Sequence, residues 1–184
     1  MNIQETHIPG LLVIRPDVYG DSRGHFFESF SARKFEEMTG INAEFVQDNE
    51  SRSSYGVVRG LHMQLPPHSQ AKLVRVVEGR VLDVAVDLRT DSPTFGRHFS
   101  IELSGESHLQ VYIPKGFAHG FSVLSESAVF QYKCDEYYAP GSEAGIAWDD
   151  QDLNIDWKVP AEDVVLSAKD RNHPAFKEFI SKWL

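Results

Sequence analysis

The sequence predicts an all-β barrel or sandwich with a few short peripheral helices, built as one domain over residues 1-184. Three observations carry this. From Ile8 to about Trp148, short runs rich in β-branched and aromatic residues are separated by Gly, Pro, Asp or Ser. Within the runs apolar residues recur at every second position, which puts them on one face of a strand. Helical spacing occurs only near the edges, and no stretch resembles a linker.

Taken in order, Ser31 is placed to cap a short helix that carries Phe35 and Met38 and stops at Gly40. Arg59-Gly60-Leu61-His62 reads as one short strand. Lys72 to Leu88 reads as a hairpin: Lys72, Val74 and Val76 share a face, Glu78-Gly79 turns, and Leu82, Val84, Val86 and Leu88 alternate on the return. Asp91-Ser92-Pro93-Thr94 then breaks the run.

A second set of strands follows in Leu109-Val111-Ile113, Gly120 to Leu124 and Ala128 to Cys134, with Pro114-Lys115-Gly116 turning between the first two. In the last, Ala128, Phe130, Tyr132 and Cys134 point one way, so Tyr132 faces with the apolar side. Pro174 opens a terminal helix whose Phe176, Phe179, Ile180 and Trp183 follow i, i+3, i+4, i+7 spacing and should pack onto the body.

Composition narrows function. A net charge of -9, from 27 acidic against 18 basic residues, repels phosphate backbones and anionic membrane surfaces, so nucleic acid and membrane are not expected partners. Arginines focused in one cleft still permit an anionic small ligand. The single cysteine, Cys134, excludes an intrachain disulfide and a cysteine zinc cage. No apolar run approaches the ~20 residues of a membrane helix. With no leader-like start, a cytoplasmic protein is expected.

Eight histidines raise a metal hypothesis, but in Gly60-Leu61-His62-Met63-Gln64 the residue two places on is Gln64, and no His/Glu set completes a site. His7, His25, His68, His98, His108 and His173 read as hydrogen-bonded structural residues. His62 and His119, at strand edges among apolar neighbours, are candidates for a general base or a ligand anchor. Lys72 either snorkels from its strand end or, if held inside, needs an anionic ligand or developing oxyanion to offset its burial. Lys169-Asp170 reads as a solvated turn unless it packs back on the barrel, where Asp170 would partner His62. Dinucleotide, P-loop, serine-elbow and H-E-x-x-H signatures are missing, which leaves cofactor-free acid/base chemistry by His, Tyr and Lys open.

Gly56-Val57-Val58-Arg59-Gly60-Leu61-His62-Met63-Gln64, Ser92-Pro93-Thr94-Phe95-Gly96, Ile113-Pro114-Lys115-Gly116-Phe117-Ala118-His119-Gly120-Phe121 and Tyr132-Lys133-Cys134 resemble the dTDP-4-dehydrorhamnose 3,5-epimerases. The likeness runs in order from Gly20-Asp21-Ser22-Arg23-Gly24 through Glu143-Ala144-Gly145-Ile146-Ala147-Trp148 to Ser167-Ala168-Lys169-Asp170. It implies a cupin-type jelly roll in a homodimer, working without metal or cofactor, with Gln64 where the first cupin motif has its second His. Asp149 stands where the family has Asn.

By this resemblance His62 is the base, held by Asp170, Lys72 stabilises the enolate and Tyr132 is the acid. Arg23 and Arg59 would grip the diphosphate, Gln47 and Asn49 the thymine edge, and Tyr138 would stack on thymine, while His119, Glu28, Glu143 and Lys169 match substrate-contact positions. Two of the acidic or amide contacts precede the main barrel strands and are expected from the other subunit. The implied substrate is a dTDP-linked 4-keto-6-deoxyhexose inverted at C3 and C5, its product feeding a reductase that makes dTDP-L-rhamnose. A single-carbon epimerase, a 3,4-ketoisomerase, a non-catalytic sugar-nucleotide binder and a metal-dependent cupin are the competing readings.

Overall fold

The alternating runs fold into two facing sheets and a separate hairpin in a computed structural model that describes residues 1–183. The strands are β1 (Asn2–Glu5), β2 (Leu12–Arg15), β3 (Val18–Asp21), β4 (Gly24–Phe27), β5 (Gln47–Ser54), β6 (Val58–Gln64), β7 (Lys72–Glu78), β8 (Arg80–Asp87), β9 (His98–Ser104), β10 (Gln110–Ile113), β11 (Phe117–Val123), β12 (Ser127–Cys134) and β13 (Glu143–Gly145). One sheet has the order β1-β2-β10-β7-β12-β5, the other β13-β6-β11-β8-β9, and β3 pairs only with β4. From β5 to β12 each strand lies in the sheet opposite its predecessor, except β9, which pairs with β8. That alternation is a jelly roll.

It also corrects the sequence reading of Lys72 to Leu88. Those strands form in register with the prediction, yet β7 pairs with β10 and β12 while β8 pairs with β11 and β9. Glu78-Gly79 is therefore a corner between sheets, not a hairpin turn. Gly79 sits at φ 78, and a Cβ there would lie 2.0 Å from the carbonyl oxygen of Ser127, so the corner accepts only glycine. The Pro114-Lys115-Gly116 turn is a second sheet change, between β10 and β11.

Alternation within each strand serves two cores. Val74, Val76, Val81, Ala85, Val111, Ile113, Phe121 and Phe130 fill the space between the sheets, where the Phe121 and Phe130 rings stack at 4.2 Å. Leu82, Val84 and Val86, on the other face of β8, belong to a second cluster with Leu153, Trp157 and Phe179 of the C-terminal segment. This explains why every residue from Val81 to Asp87 is buried. Each such aliphatic or aromatic side chain removed from water stabilises the fold by roughly 1.5–3 kcal/mol.

Both predicted helices form. In α1 (Ala32–Thr39) the Ser31 side chain accepts from the Lys34 amide, and Gly40, at φ 70, donates its own amide to the Glu36 carbonyl. Phe35 packs in a third cluster with Leu73 and Tyr112, whereas Met38 is exposed. In α2 (Phe176–Trp183) Phe179 is buried and Phe176 packs beside it, but Trp183 is exposed, against the packing its spacing predicts. Three single-turn 3-10 helices lie at Pro140–Ser142, Ala161–Asp163 and Asp170–Asn172. Among the described residues no helix is long and apolar enough to cross a membrane.

Candidate active site

The two sheets meet around a cleft of about 310 Å³ lined by Asn49, Arg59, His62, Lys72, His119, Phe121, Phe130 and Tyr132 among others. Residues scattered over more than eighty positions of sequence reach it through strand register. On β6, His62 lies between His119 of β11 and Gly145 of β13. In the opposing sheet Tyr132 of β12 lies between Asn49 of β5 and Val74 of β7, with Lys72 opposite Cys134.

His62 donates from Nε2 to Oδ1 of Asp170 at 2.5 Å, which leaves Nδ1 as the nitrogen able to take a proton. Asp170 is buried, and its other oxygen accepts from the Ser167 hydroxyl at 2.6 Å. Burial opposes ionisation of Asp170, but the polar contacts from His173, His62 and Ser167 outweigh it and hold the carboxyl far below its ordinary value. The carboxylate therefore stays charged beside the His62 imidazole.

Lys72 is held inside after all, its Nζ 5.7 Å from the centre of the Tyr132 ring. Burial pushes its pKa down, against the attraction of the Asp83 and Glu143 carboxylates. An ammonium so poorly hydrated gains most when a negative oxygen forms beside it. Tyr132 packs against the inter-sheet core, and burial pushes its phenol above the ordinary value, so it carries its proton at neutral pH.

His119 is buried in mid-strand, not at an edge, and its Nε2 lies 2.7 Å from Oδ1 of buried Asp83. Asp83 went unread in the sequence, although a carboxylate inside the apolar run Val81 to Val86 is the signal that marks it. Arg59 donates from Nε to the Ser53 hydroxyl at 3.1 Å with its guanidinium on the cleft wall. Gln47 donates to the Asn49 side chain at 3.0 Å and accepts from the Tyr138 amide at 3.0 Å.

Tyr138, Glu143 and Lys169 form a separate linked set: the exposed Tyr138 hydroxyl donates to Glu143 at 2.7 Å, and the Lys169 ammonium pairs with the same carboxylate. Of the predicted site residues, Asn49, Arg59, His62, Lys72, His119 and Tyr132 line the cleft, whereas Arg23 and Glu28 belong neither to it nor to the Tyr138 set. Arg23 is exposed on the β3–β4 hairpin, bound to Asp21, and Glu28 pairs with Lys34 at 2.9 Å.

Gln64 is fully used by the backbone. Its amide donates to the carbonyls of His68 and Tyr137 at 2.7 and 3.2 Å and accepts from the Ala139 amide at 2.7 Å. His62, Asp170 and His173 do form a group with ligand-capable atoms within 4.8 Å of one another. The 2.5 Å contact between the first two leaves no room for an ion between them, since metal–ligand bonds near 2 Å put ligands roughly 3 Å apart. His173 also departs from the structural reading of the sequence: its buried Nε2 has no hydrogen-bond partner.

A jelly roll that gathers an imidazole–carboxylate pair, a half-buried lysine and a tyrosine around one cleft has the architecture of a cupin-type enzyme. The chain belongs to the dTDP-4-dehydrorhamnose 3,5-epimerase family, whose model matches residues 5–178. It is 52% identical over 176 residues to the dTDP-4-dehydrorhamnose 3,5-epimerase of Shigella flexneri, covering 96% of each. The crystal structure of a dTDP-4-dehydrorhamnose 3,5-epimerase from Elizabethkingia anophelis is 55% identical with a TM-score of 0.94, covering 100% of this chain and 99% of that one. A dTDP-6-deoxy-D-glucose-3,5-epimerase from Legionella pneumophila, in complex with dTDP-4-keto-L-rhamnose, is 51% identical with a TM-score of 0.95, covering 100% and 96%.

Proposed function

We propose that the chain inverts C3 and C5 of dTDP-4-keto-6-deoxy-D-glucose to give dTDP-4-keto-L-rhamnose, the sugar nucleotide in the Legionella complex. The carrying observation is that His62 and Tyr132 enter one cleft from opposite sheets. A ring held between them has one face toward a base and the other toward an acid, which is what inversion of a carbon next to a ketone requires.

Nδ1 of His62 takes the proton from the carbon, the C–H electron pair becomes the enolate, and the charge gathers on O4 beside the Lys72 ammonium. Tyr132 returns a proton to the opposite face and recovers its own from solvent, as His62 loses the one it took. The cycle is repeated at the second carbon and consumes no cofactor. Arg59, Asn49 and Gln47 hold the nucleotide, and His119, steadied by Asp83, contacts the sugar.

Arg23 and Glu28 reach a site in a homodimer, by this reading, through exchange with a second copy. The β3–β4 hairpin pairs with no other strand, and its Tyr19 and Phe26 are 67% and 71% exposed, an apolar surface suited to cover by protein. The enzyme works in the cytoplasm, as a single domain, supplying a reductase.

Proton NMR of the sugar nucleotide with enzyme in deuterium oxide tests the reaction. Both the C3 and C5 proton signals are expected to vanish. Loss of one alone indicates a single-carbon epimerase, and loss of neither with saturable dTDP binding indicates a binding protein.

A further inference from the structure

We infer that His173 is a positioning residue for this reaction, sharing the carboxylate of Asp170 with His62 and restraining the basicity of the His62 imidazole. The inference rests on His62 being the base. Its ground is geometric: Nε2 of His173 stands 3.6 Å from Oδ1 of Asp170, the same oxygen that His62 contacts at 2.5 Å. The two imidazoles meet nearly edge to face, with centroids 5.3 Å apart.

Nothing else satisfies that nitrogen. Nε2 of His173 is buried without a hydrogen-bond partner, a condition that destabilises a fold that gains nothing from it. The ring is fixed in place: a Cβ on Gly145 would fall 2.4–2.7 Å from three of its atoms, so the bare backbone of β13 forms its floor. The same strand holds Gly145 opposite His62, and Ala147 donates its amide to the Pro174 carbonyl just beyond His173. One strand thus seats both imidazoles against one carboxylate.

The electrostatic consequence has a definite sign. A small movement brings Nε2–H of neutral His173 within bonding distance of Oδ1, which drains charge from the acceptor that His62 depends on. A protonated His173 competes for the carboxylate outright and repels the imidazolium. Either way His62 binds its proton less tightly than it would with Asp170 to itself. The base is kept unprotonated and active to lower pH. Other charged groups near the pair are Glu143 of β13 with its partner Lys169, and His119 with Asp83, and none of these is altered by replacing His173.

The test compares kcat/KM against pH for wild type, His173→Phe and His173→Gln, with 15N shifts of the imidazoles followed in the same pH series. In His173→Phe the acid limb is expected to move up by about half to one pH unit, a three- to tenfold loss of kcat/KM below the limb with little change above it. His173→Gln, which keeps a neutral donor, is expected to stay near wild type. In wild type the His62 and His173 resonances should titrate in mutually dependent steps.

A merely structural His173 would lower Tm in both variants and leave the limb where it is, which overturns the inference. If His173→Phe does not fold, independent titration of His62 and His173 in wild type overturns it instead. An acid limb that does not follow the His62 resonance in wild type overturns the base assignment itself, a result distinct from a limb that follows His62 but ignores His173.

Discussion

His62 and Tyr132 face one cleft from opposite sheets, the imidazole on β6 and the phenol on β12. Because the two sheets are held apart by a packed aromatic and aliphatic core, the separation of imidazole and phenol is a property of the fold rather than of a mobile loop.

Replacing the proposed base isolates chemistry from binding. His62→Asn is expected to lose about 10²–10⁴-fold in kcat while the melting shift produced by dTDP is retained. Turnover equal to wild type sinks the base assignment.

The acid gives a different signature. Tyr132→Phe leaves His62 and Lys72, the proposed base and enolate stabiliser, in place, so solvent deuterium should still enter the sugar at a base-accessible carbon, while inversion falls by at least about 10²-fold. NMR distinguishes exchange with retention from exchange with inversion. Loss of both together places Tyr132 elsewhere in the mechanism.

Lys72 predicts the shape of the basic limb. Burial lowers its pKa, so the ammonium is lost, and kcat/KM declines, at a lower pH than for an ordinary lysine. Tyr132, shifted upward by burial, remains protonated there. Lys72→Arg holds its charge and should carry the limb to higher pH, though at reduced activity. An unmoved limb assigns the ionisation to another group.

Stability at low pH should depend on Asp87, whose side chain accepts from Arg89, Ser92 and Thr94 at 2.6–2.8 Å. Burial opposes its ionisation, but these bonds outweigh it and lower its pKa from 3.8 to about 2. A depressed carboxyl stabilises the fold above its unfolded value, and that stability is lost as pH falls from 3.8 through about 2. The shift corresponds to about 2 kcal/mol. Asp87→Asn is expected to lower the urea midpoint at neutral pH and to flatten its decline in acid. A decline as steep as wild type assigns the acid lability to other carboxylates.

Removing Gln64 should be costly for a structural reason. Gln64→Ala removes the partner of three part-buried backbone groups in two loops, at about 1–3 kcal/mol for each one left without water. Thermal melting reads this directly. An unchanged Tm means that water replaces the amide.

Period-two alternation made β7, β8, β10, β11 and β12 legible, and the same alternation placed Tyr132 with Phe130 and Cys134 on the inner face. Capping chemistry at Ser31 and Gly40 located α1. By contrast β5, with the sequence Gln47-Asp48-Asn49-Glu50-Ser51-Arg52-Ser53-Ser54, carries no apolar alternation, and becomes a strand because β12 offers it an edge along its whole length.

The residue types of the site and their order along the chain were therefore set down in the sequence: an inward tyrosine, a lysine among valines, and a histidine on a short strand. Whether β7 and β8 paired with each other, which carboxylate met His62, and that His173 would lie beside both were decided only in three dimensions. Asp170 is 108 positions from His62, and its solvated appearance in sequence changes to burial when the C-terminal segment docks on the second core. Side-chain period is a local property of the backbone, whereas strand register and the partner of a buried charge depend on contacts between distant segments, which local preference does not encode.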